Sequence, residues 1–197
     1  MSRFRRVQLR RIFRVVNGGT PTSEPNNWDG DVPWATPVDL GCVNGGVIRA
    51  TERSISEAGL TSGSSAVPSG SLIVSTRAPI GYVAEVTSRT AFNQGCRGLI
   101  PTEGIDIRYF RYQLSAFATI LQSRGQGSTF QELSSESLAA LSIFNPSPSQ
   151  QSAIADYLVV RRGIDLVSKG RPTPAHLGDD LLRWGVPDEG FGVVVPV

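Results

Sequence analysis

For roughly the first 105 positions, apolar residues come in brief clusters separated by glycine, proline and serine. Leu72, Ile73 and Val74 follow a Pro-Ser-Gly turn at 68–70 and predict a buried strand over 71–75. Short strands are also predicted over 32–36, 46–50, 80–86 and 96–100, with Gly81 admitting a bulge or a close approach. Residues 7–16 mix apolar and arginine positions loosely and fit either a strand or a short helix. Residues 54–59 read as a short helix or turn ended by glycine. The stretch NGGTP at 17–21 is a strong turn signal, and a polar, tryptophan-bearing loop follows it through Trp28.

The period then changes. Ile107, Phe110, Leu114, Phe117 and Leu121 recur at spacings of three and four, which predicts one helix over 106–123. Asp106 is its expected cap and Gly125 helps to end it. The run 125–151 orders a polar loop, a short helical pattern, a short apolar strand and a proline turn. A second helix is predicted over 150–167, capped by Ser149. Its stripe begins at Ile154 and continues through Tyr157, Val160, Ile164 and Val167. Gly163 and the β-branched valines lower its intrinsic propensity, so packing against a partner surface is expected to stabilise it. After Gly170, the sequence RPTPAHLGDD reads as a linker. Many short strands with segregated helices predict an α+β fold with an irregular mixed sheet. The expected division is a folded domain over 1–148, a helical spacer or partner-binding segment over 149–170, and a tail over 171–197.

Composition narrows the function classes. The chain has 197 residues, enough for one sizeable core plus an appendage. No apolar run approaches the roughly 18 residues that would span a bilayer, so no membrane partner is expected. The basic N-terminus has no apolar stretch behind it, so a secretory signal is not expected and the chain reads as cytoplasmic. Cys42 and Cys96 allow one disulfide or two reduced thiols, and the second suits that location. Of the 19 basic residues, all but Lys169 are arginine. Arginine is a rigid donor fork suited to phosphates and guanine edges, although a GC-rich coding bias produces the same excess. Arg3, Arg5, Arg6, Arg10, Arg11 and Arg14 crowd an N-terminal segment that holds no acid. Asp179, Asp180, Asp188 and Glu189 lie near the other end, so the body is more basic than the net +2 implies.

Bond chemistry has few candidates. The single histidine, His176, sits in the tail, which leaves a zinc site or a Ser–His–Asp arrangement without support. NGGTP lacks the lysine and the spacing of a P-loop. Asn145-Pro146-Ser147-Pro148 faintly resembles the Asn-Pro-Pro-aromatic motif of amino-group methyltransferases but departs at the second proline and at the aromatic. No glycine-rich cofactor turn accompanies it. The chain therefore reads as a recognition protein with no catalytic residue, cofactor or metal of its own.

Four polar stretches offer the side chains that read or hold DNA. The first carries Thr20 and Thr22, the second Thr76 and Arg77 just after the apolar strand, and the third Arg89, Asn93, Gln94 and Arg97. The fourth carries Arg124, Gln126 and Ser128 at the exit of the first helix. Arg77, Asn93, Gln94, Arg97 and Gln126 are the candidates for base edges, and Arg5, Arg6, Arg10 and Arg11 for phosphates. Each has a plainer alternative: Trp28 and Trp34 as packing residues, Asn93 and Gln94 as partners of buried backbone groups, Thr76 as a strand exit.

At these residues the chain resembles a target recognition domain from the specificity subunits of type I restriction–modification systems. The elements that carry the resemblance are Gly18-Gly19-Thr20-Pro21, Trp28 before Val32-Pro33-Trp34, and Asp39-Leu40. They continue with Ile55, Gly59-Leu60, Ser64-Ser65-Ala66, Pro68 and Gly70, and then Ser75-Thr76-Arg77-Ala78-Pro79-Ile80-Gly81. Asn93-Gln94-Gly95, Gly127-Ser128-Thr129-Phe130 and Pro146-x-Pro148-x-Gln150-Gln151 complete the series, which spans about residues 5–168.

The resemblance implies a DNA-binding subunit that selects a sequence while partners catalyse. Methyltransferase subunits would bind S-adenosylmethionine and modify adenine, and a translocating nuclease using ATP and magnesium could join them in defence against foreign DNA. Such subunits carry two recognition domains spanned by long antiparallel helices. This chain departs in having one domain, one shortened helix, and Gln150 where glutamate is usual. A half-subunit that pairs with itself is one expectation, through Ile154, Tyr157, Leu158, Val160, Ile164 and Val167. A truncated product or a fragment paired with another subunit is a second. A protein-interaction or inhibitory module on the same scaffold is the alternative from another functional class.

Overall fold

The computed structural model describes residues 4–77, 79–127 and 131–168, with side chains up to 161. The N-terminal arginine-rich stretch is neither a single strand nor a helix. Leu9, Ile12 and Phe13 are buried while Arg10 and Arg11 are exposed, a pattern that no one period satisfies. The chain resolves it with strand β1 (Arg6–Gln8), a 3-10 turn over Leu9–Arg11, and strand β2 (Phe13–Asn17).

Strand β3 (Trp28–Ala35) follows, beginning four residues earlier than the alternation predicts. Helix α1 (Pro37–Val43) starts in a capping box, which is the physical content of the Asp39-Leu40 element. The Thr36 N–H donates to Asp39 Oδ2 at 2.8 Å, and Asp39 N–H donates to Thr36 Oγ1 at 3.5 Å. Strands β4 (Val47–Ile48) and β5 (Arg53–Ile55) come next. Helix α2 (Glu57–Thr61) is capped by Ser56, whose Oγ accepts from Gly59 N–H at 3.1 Å. The expected turn at 54–59 therefore moves downstream, because Arg53–Ile55 pair with β3. Strands β6 (Ser65–Val67), β7 (Leu72–Ser75), β8 (Val83–Val86), β9 (Thr90–Phe92) and β10 (Cys96–Pro101) complete the strand-rich part.

The helix expected over 106–123 is two helices, α3 (Ile107–Ala116) and α4 (Ala118–Ser123). Phe117 between them leaves helical geometry (φ −90°, ψ 11°), and its N–H is shared between the carbonyls of Gln113 and Leu114. The apolar stripe runs unbroken through the kink: Phe110, Leu114 and Leu121 are fully buried. A turn at Gly81 (φ +99°) lies against Ala118. Helix α5 (Ser135–Ala139), strand β11 (Ser142–Phe144) and helix α6 (Pro148–Ser168) close the described chain.

The strands form three sheets. A five-stranded sheet has the order β2-β10-β7-β8-β4, a four-stranded sheet the order β5-β3-β9-β6, and β1 pairs with β11. Most pairs are antiparallel; β3–β9 and β4–β8 are parallel. The longer helices follow the strand-rich part, with α1 and α2 set between strands and β11 between α5 and α6, and the architecture is a mixed α+β fold with irregular sheets. One core cluster joins Phe13, Leu72, Val74 and Leu99 to the α3 and α4 stripe. A second, on the other face of the five-stranded sheet, holds Leu40, Ile73, Val86 and Phe92. A buried ion pair ties α3 to β8, with Arg111 Nη1 at 2.9 Å from Glu85 Oε2.

Helix α6 is latched to this body at its first turn. Its cap is Ser147 rather than Ser149: Gln150 N–H donates to Ser147 Oγ at 3.4 Å, and Ser147 N–H donates to Gln150 Oε1 at 3.1 Å. A capping box works with glutamate or glutamine at this place, so Gln150 keeps the geometry. Gln151 is buried; its Oε1 accepts from Asp106 N–H at 2.9 Å. Its Nε2 donates to Pro146 O at 3.0 Å and to Asn145 Oδ1 at 3.1 Å. Ala155 and Val159, four and eight residues on, are fully buried on the same face. The stripe read from the sequence is thus shifted. Ile154 is partly buried against the main core, and Leu158 is half-buried. Tyr157 and Val160 are exposed, at 62% and 38%. The side chains of Ile164 and Val167 lie outside the described residues.

Candidate nucleic-acid interface

Two glycines set the position of the first polar stretch. A Cβ on Gly18 would lie 2.0 Å from Asn93 O, and one on Gly19 would lie 1.9 Å from Gly63 O. Only a chain without side chains passes this close, and the crossing puts Thr20 against the turn after β9 (Thr90–Phe92). The Thr20 hydroxyl donates to Gln94 Oε1. Asn93 shapes that turn, its Oδ1 accepting from Gly95 N–H at 2.9 Å. Gln94 stands exposed at the tip.

The second stretch meets the same turn, and the fourth joins it through Glu132. Thr76 N–H donates to Gly95 O at 2.8 Å, and Arg77 Nε lies beside Gly95. Arg77 and Gln126 both bridge to Glu132 through the backbone. The Arg77 guanidinium has no hydrogen-bond or ion-pair partner among the described residues. Thr20, Gln94, Arg77 and Gln126, drawn from four separate stretches, therefore gather around one turn and its neighbours.

Two candidates take other roles. Thr76 is fully buried and its hydroxyl donates to Gly95 O at 3.2 Å, so it anchors the turn from beneath and cannot touch a duplex. Arg97 is largely buried, its side chain 12% exposed. Its Nε donates to Ser135 Oγ at 2.6 Å and its Nη1 to the carbonyls of Gln94 and Cys96, both at 2.9 Å. Its Nη2 reaches Glu132 Oε1 at 3.3 Å. A guanidinium with four of its five donors used inside the protein braces the turn rather than reading a base.

The remaining candidates are dispersed. Thr22 serves its own loop, accepting from Asn27 Nδ2 at its hydroxyl and from Trp28 Nε1 at its carbonyl. Arg89 forms an exposed pair with Glu57. Arg5 and Arg6 lie on the β1–β11 side, with Arg6 stacked over Phe144 at 4.4 Å. Arg10 donates to Gln8 and Arg11 is exposed in the 3-10 turn, which packs on α5. Arg124 is exposed at the end of α4. Ser128 lies outside the described residues. Trp28 and Trp34 pack edge to face at 5.2 Å, and Arg53 covers the Trp28 ring at 3.6 Å, so both are packing residues.

Glu132, Ser135 and Asn17 were not legible as members of this face. Ser135 links Arg97 to Asn17 Oδ1, which it meets at 2.5 Å. An acid argues against phosphate contact, and residue chemistry alone does not mark Glu132 as part of a DNA-facing surface. Both thiols are free, Cys42 exposed on α1 and Cys96 buried in β10, where burial pushes its thiol up to about 12. Among the described residues, no group of three or more His, Cys, Asp or Glu could hold a metal ion, and no helix is long and apolar enough to cross a membrane.

A family model for the type I restriction modification DNA specificity domain matches residues 1–166. The specificity subunit of the type I restriction enzyme MjaIX from Methanocaldococcus jannaschii is 35% identical over 155 residues, which are 77% of this chain and 36% of that protein. A chain from a structural study of assembly and conformational transition in the type I R-M system aligns with a TM-score of 0.68 at 17% identity. That alignment covers 91% of this chain and 42% of the other. The HsdS subunit from Thermoanaerobacter tengcongensis aligns with a TM-score of 0.66 at 16% identity, over 95% of this chain and 44% of that one. At such identities these two matches speak to the fold. The chain spans less than half the length of the relatives it matches.

Proposed function

The chain belongs to the family of type I restriction–modification DNA specificity domains, and on that premise we propose that it recognises a DNA sequence on behalf of an adenine methyltransferase. The observation that carries this reading is the gathering of Thr20, Gln94, Arg77 and Gln126 around one turn and its neighbours, with no hydrogen-bond or ion-pair partner for the Arg77 guanidinium among the described residues. Arginine and glutamine present two hydrogen-bonding groups to guanine and adenine edges. Arg97 and the Gly18–Gly19 crossing hold the turn still, which lowers the entropy lost on binding. Arg5, Arg11 and Arg124 carry exposed charge suited to phosphates.

The reactive centre belongs to the partner. S-adenosylmethionine would be bound by the methyltransferase subunits, and ATP and magnesium by a nuclease subunit where one joins. The exposed Tyr157 and Val160 on α6 suit a second protein, either those subunits or another copy of this chain. Light scattering at micromolar concentration, with and without the methyltransferase, tests this; a strict monomer in both would overturn it.

The recognition reading is tested by mapping methylation in DNA exposed to this chain and its neighbouring methyltransferase. A defined motif is expected. Arg77→Ala should relax one position by roughly 1–3 kcal/mol. Arg11→Ala should weaken all duplexes alike and reduce the salt dependence. Partner binding without any sequence preference would favour an interaction or inhibitory module instead.

A further inference from the structure

Glu132 stands between two of the proposed readers. Its backbone bridges to Gln126 on one side, through reciprocal hydrogen bonds of 2.9 and 3.0 Å, and to Arg77 on the other. Leu133 N–H donates to Thr76 O at 2.8 Å and fixes the register on the Arg77 side. Directly paired residues on adjacent extended segments put their side chains on one face, with Cβ atoms about 4.5–5.5 Å apart. The pairing sets Arg77, Glu132 and Gln126 side by side across three segments.

The carboxylate is held but not consumed. Its side chain is 43% exposed, and Oε1 accepts from Arg97 Nη2 at 3.3 Å. Oε2 has no hydrogen-bond partner among the described residues. An acid at this place repels phosphates, so a surface made only to grip the DNA backbone gains nothing from it. A base edge can use it: the exocyclic amino group of cytosine is a donor in the major groove, and a carboxylate accepts from it. Thymine and guanine present acceptors there instead, and adenine sets its N7 acceptor beside its amino group, so each of the three leaves the carboxylate repelled or only partly satisfied, whereas cytosine offers the amino donor with no acceptor next to it.

We propose that Glu132 is a specificity-determining residue, accepting a hydrogen bond from the amino group of a cytosine beside the base read by Arg77. Arg97 is the positioning residue that holds it. This rests on the DNA-recognition reading given above.

The test is selection from randomised duplexes by the full chain with its methyltransferase partner, comparing wild type, Glu132→Gln, Glu132→Ala and Glu136→Gln. The two Glu132 variants are expected to lose a cytosine preference at one position by roughly tenfold or more, while other positions keep theirs. Glu136→Gln removes an exposed acid from α5 and should only strengthen all duplexes together. An unchanged preference in both Glu132 variants, or one uniform change across all duplexes, overturns the assignment. Wild type without any preference overturns the recognition reading itself, and the two failures are distinct. Two variants of the half-exposed Glu132 keep the result decisive if one folds poorly.

Discussion

Arg108 at the start of α3 reaches two acids at once: Asp106 Oδ2 at 2.7 Å and, on α6, Asp156 Oδ1 at 2.9 Å. It is a clasp between the body and the last helix, next to the Gln151 latch. Burial alone would raise the Asp106 carboxyl, but the hydrogen bond and charge of Arg108 outweigh it and hold it below the ordinary value. A depressed carboxyl contributes stability that is fully present above the unfolded value of about 4 and is lost as pH falls through the lower folded value. Urea melts from pH 7 to pH 3 are therefore expected to show stability falling once the pH drops below about 4. Asp106→Asn should be weaker at pH 7 and lose less on acidification.

The Arg111–Glu85 pair answers to a different rule. Arg111 is 1% exposed, so removing the Glu85 carboxylate takes an opposite charge away from a cation inside the protein. Glu85→Ala should cost roughly 3–5 kcal/mol in denaturant unfolding, and the double change Arg111→Met with Glu85→Leu should recover much of it. A double variant no better than the single one would show that the pair itself, and not its desolvation, carries the stability.

Neighbouring glutamines at the start of α6 should behave oppositely. Gln151→Ala removes bonds to Asp106 N–H and Pro146 O and is expected to cost roughly 2–3 kcal/mol. Gln150→Glu keeps the capping box and puts a negative charge near the helix N-terminus, so it should be neutral or stabilising by about 0.5 kcal/mol. Chemical denaturation midpoints at pH 7 separate the two.

Thiol chemistry should report the core. Cys42 is exposed and should react with a thiol reagent within minutes in the native state. Cys96, buried and with its thiol pushed up to about 12, should react only on unfolding. Two fast thiols in native protein would contradict the packing of β10.

Much of this was legible along the chain. Leu72, Ile73 and Val74 form an uninterrupted apolar run, and a run of that kind is buried on both faces wherever it lies. The α3–α4 stripe was visible because helical spacing is local. Its break at Phe117 was not, since apolar spacing continues through a kink. The short strands β5, β6 and β9 escaped notice because three residues carry too little pattern. In α6, the face that packs on the body was not visible: Ala155 is small and Gln151 polar, yet both are buried by what they meet.

The face proposed to read DNA divides the same way. Arg77, Gln94, Gln126 and the paired glycines were recognisable from residue chemistry and order, because a donor fork, an amide or a missing Cβ is a property of the residue itself. Which donors stay available was decided only in three dimensions. Arg97 and Thr76 have the right chemistry, but their hydrogen-bonding capacity is used by carbonyls and hydroxyls brought near by folding. Glu132 came beside Arg77 through pairing between segments some 55 residues apart in sequence. Hydrogen bonds saturate, so a polar residue's role depends on which partners the tertiary fold puts within reach.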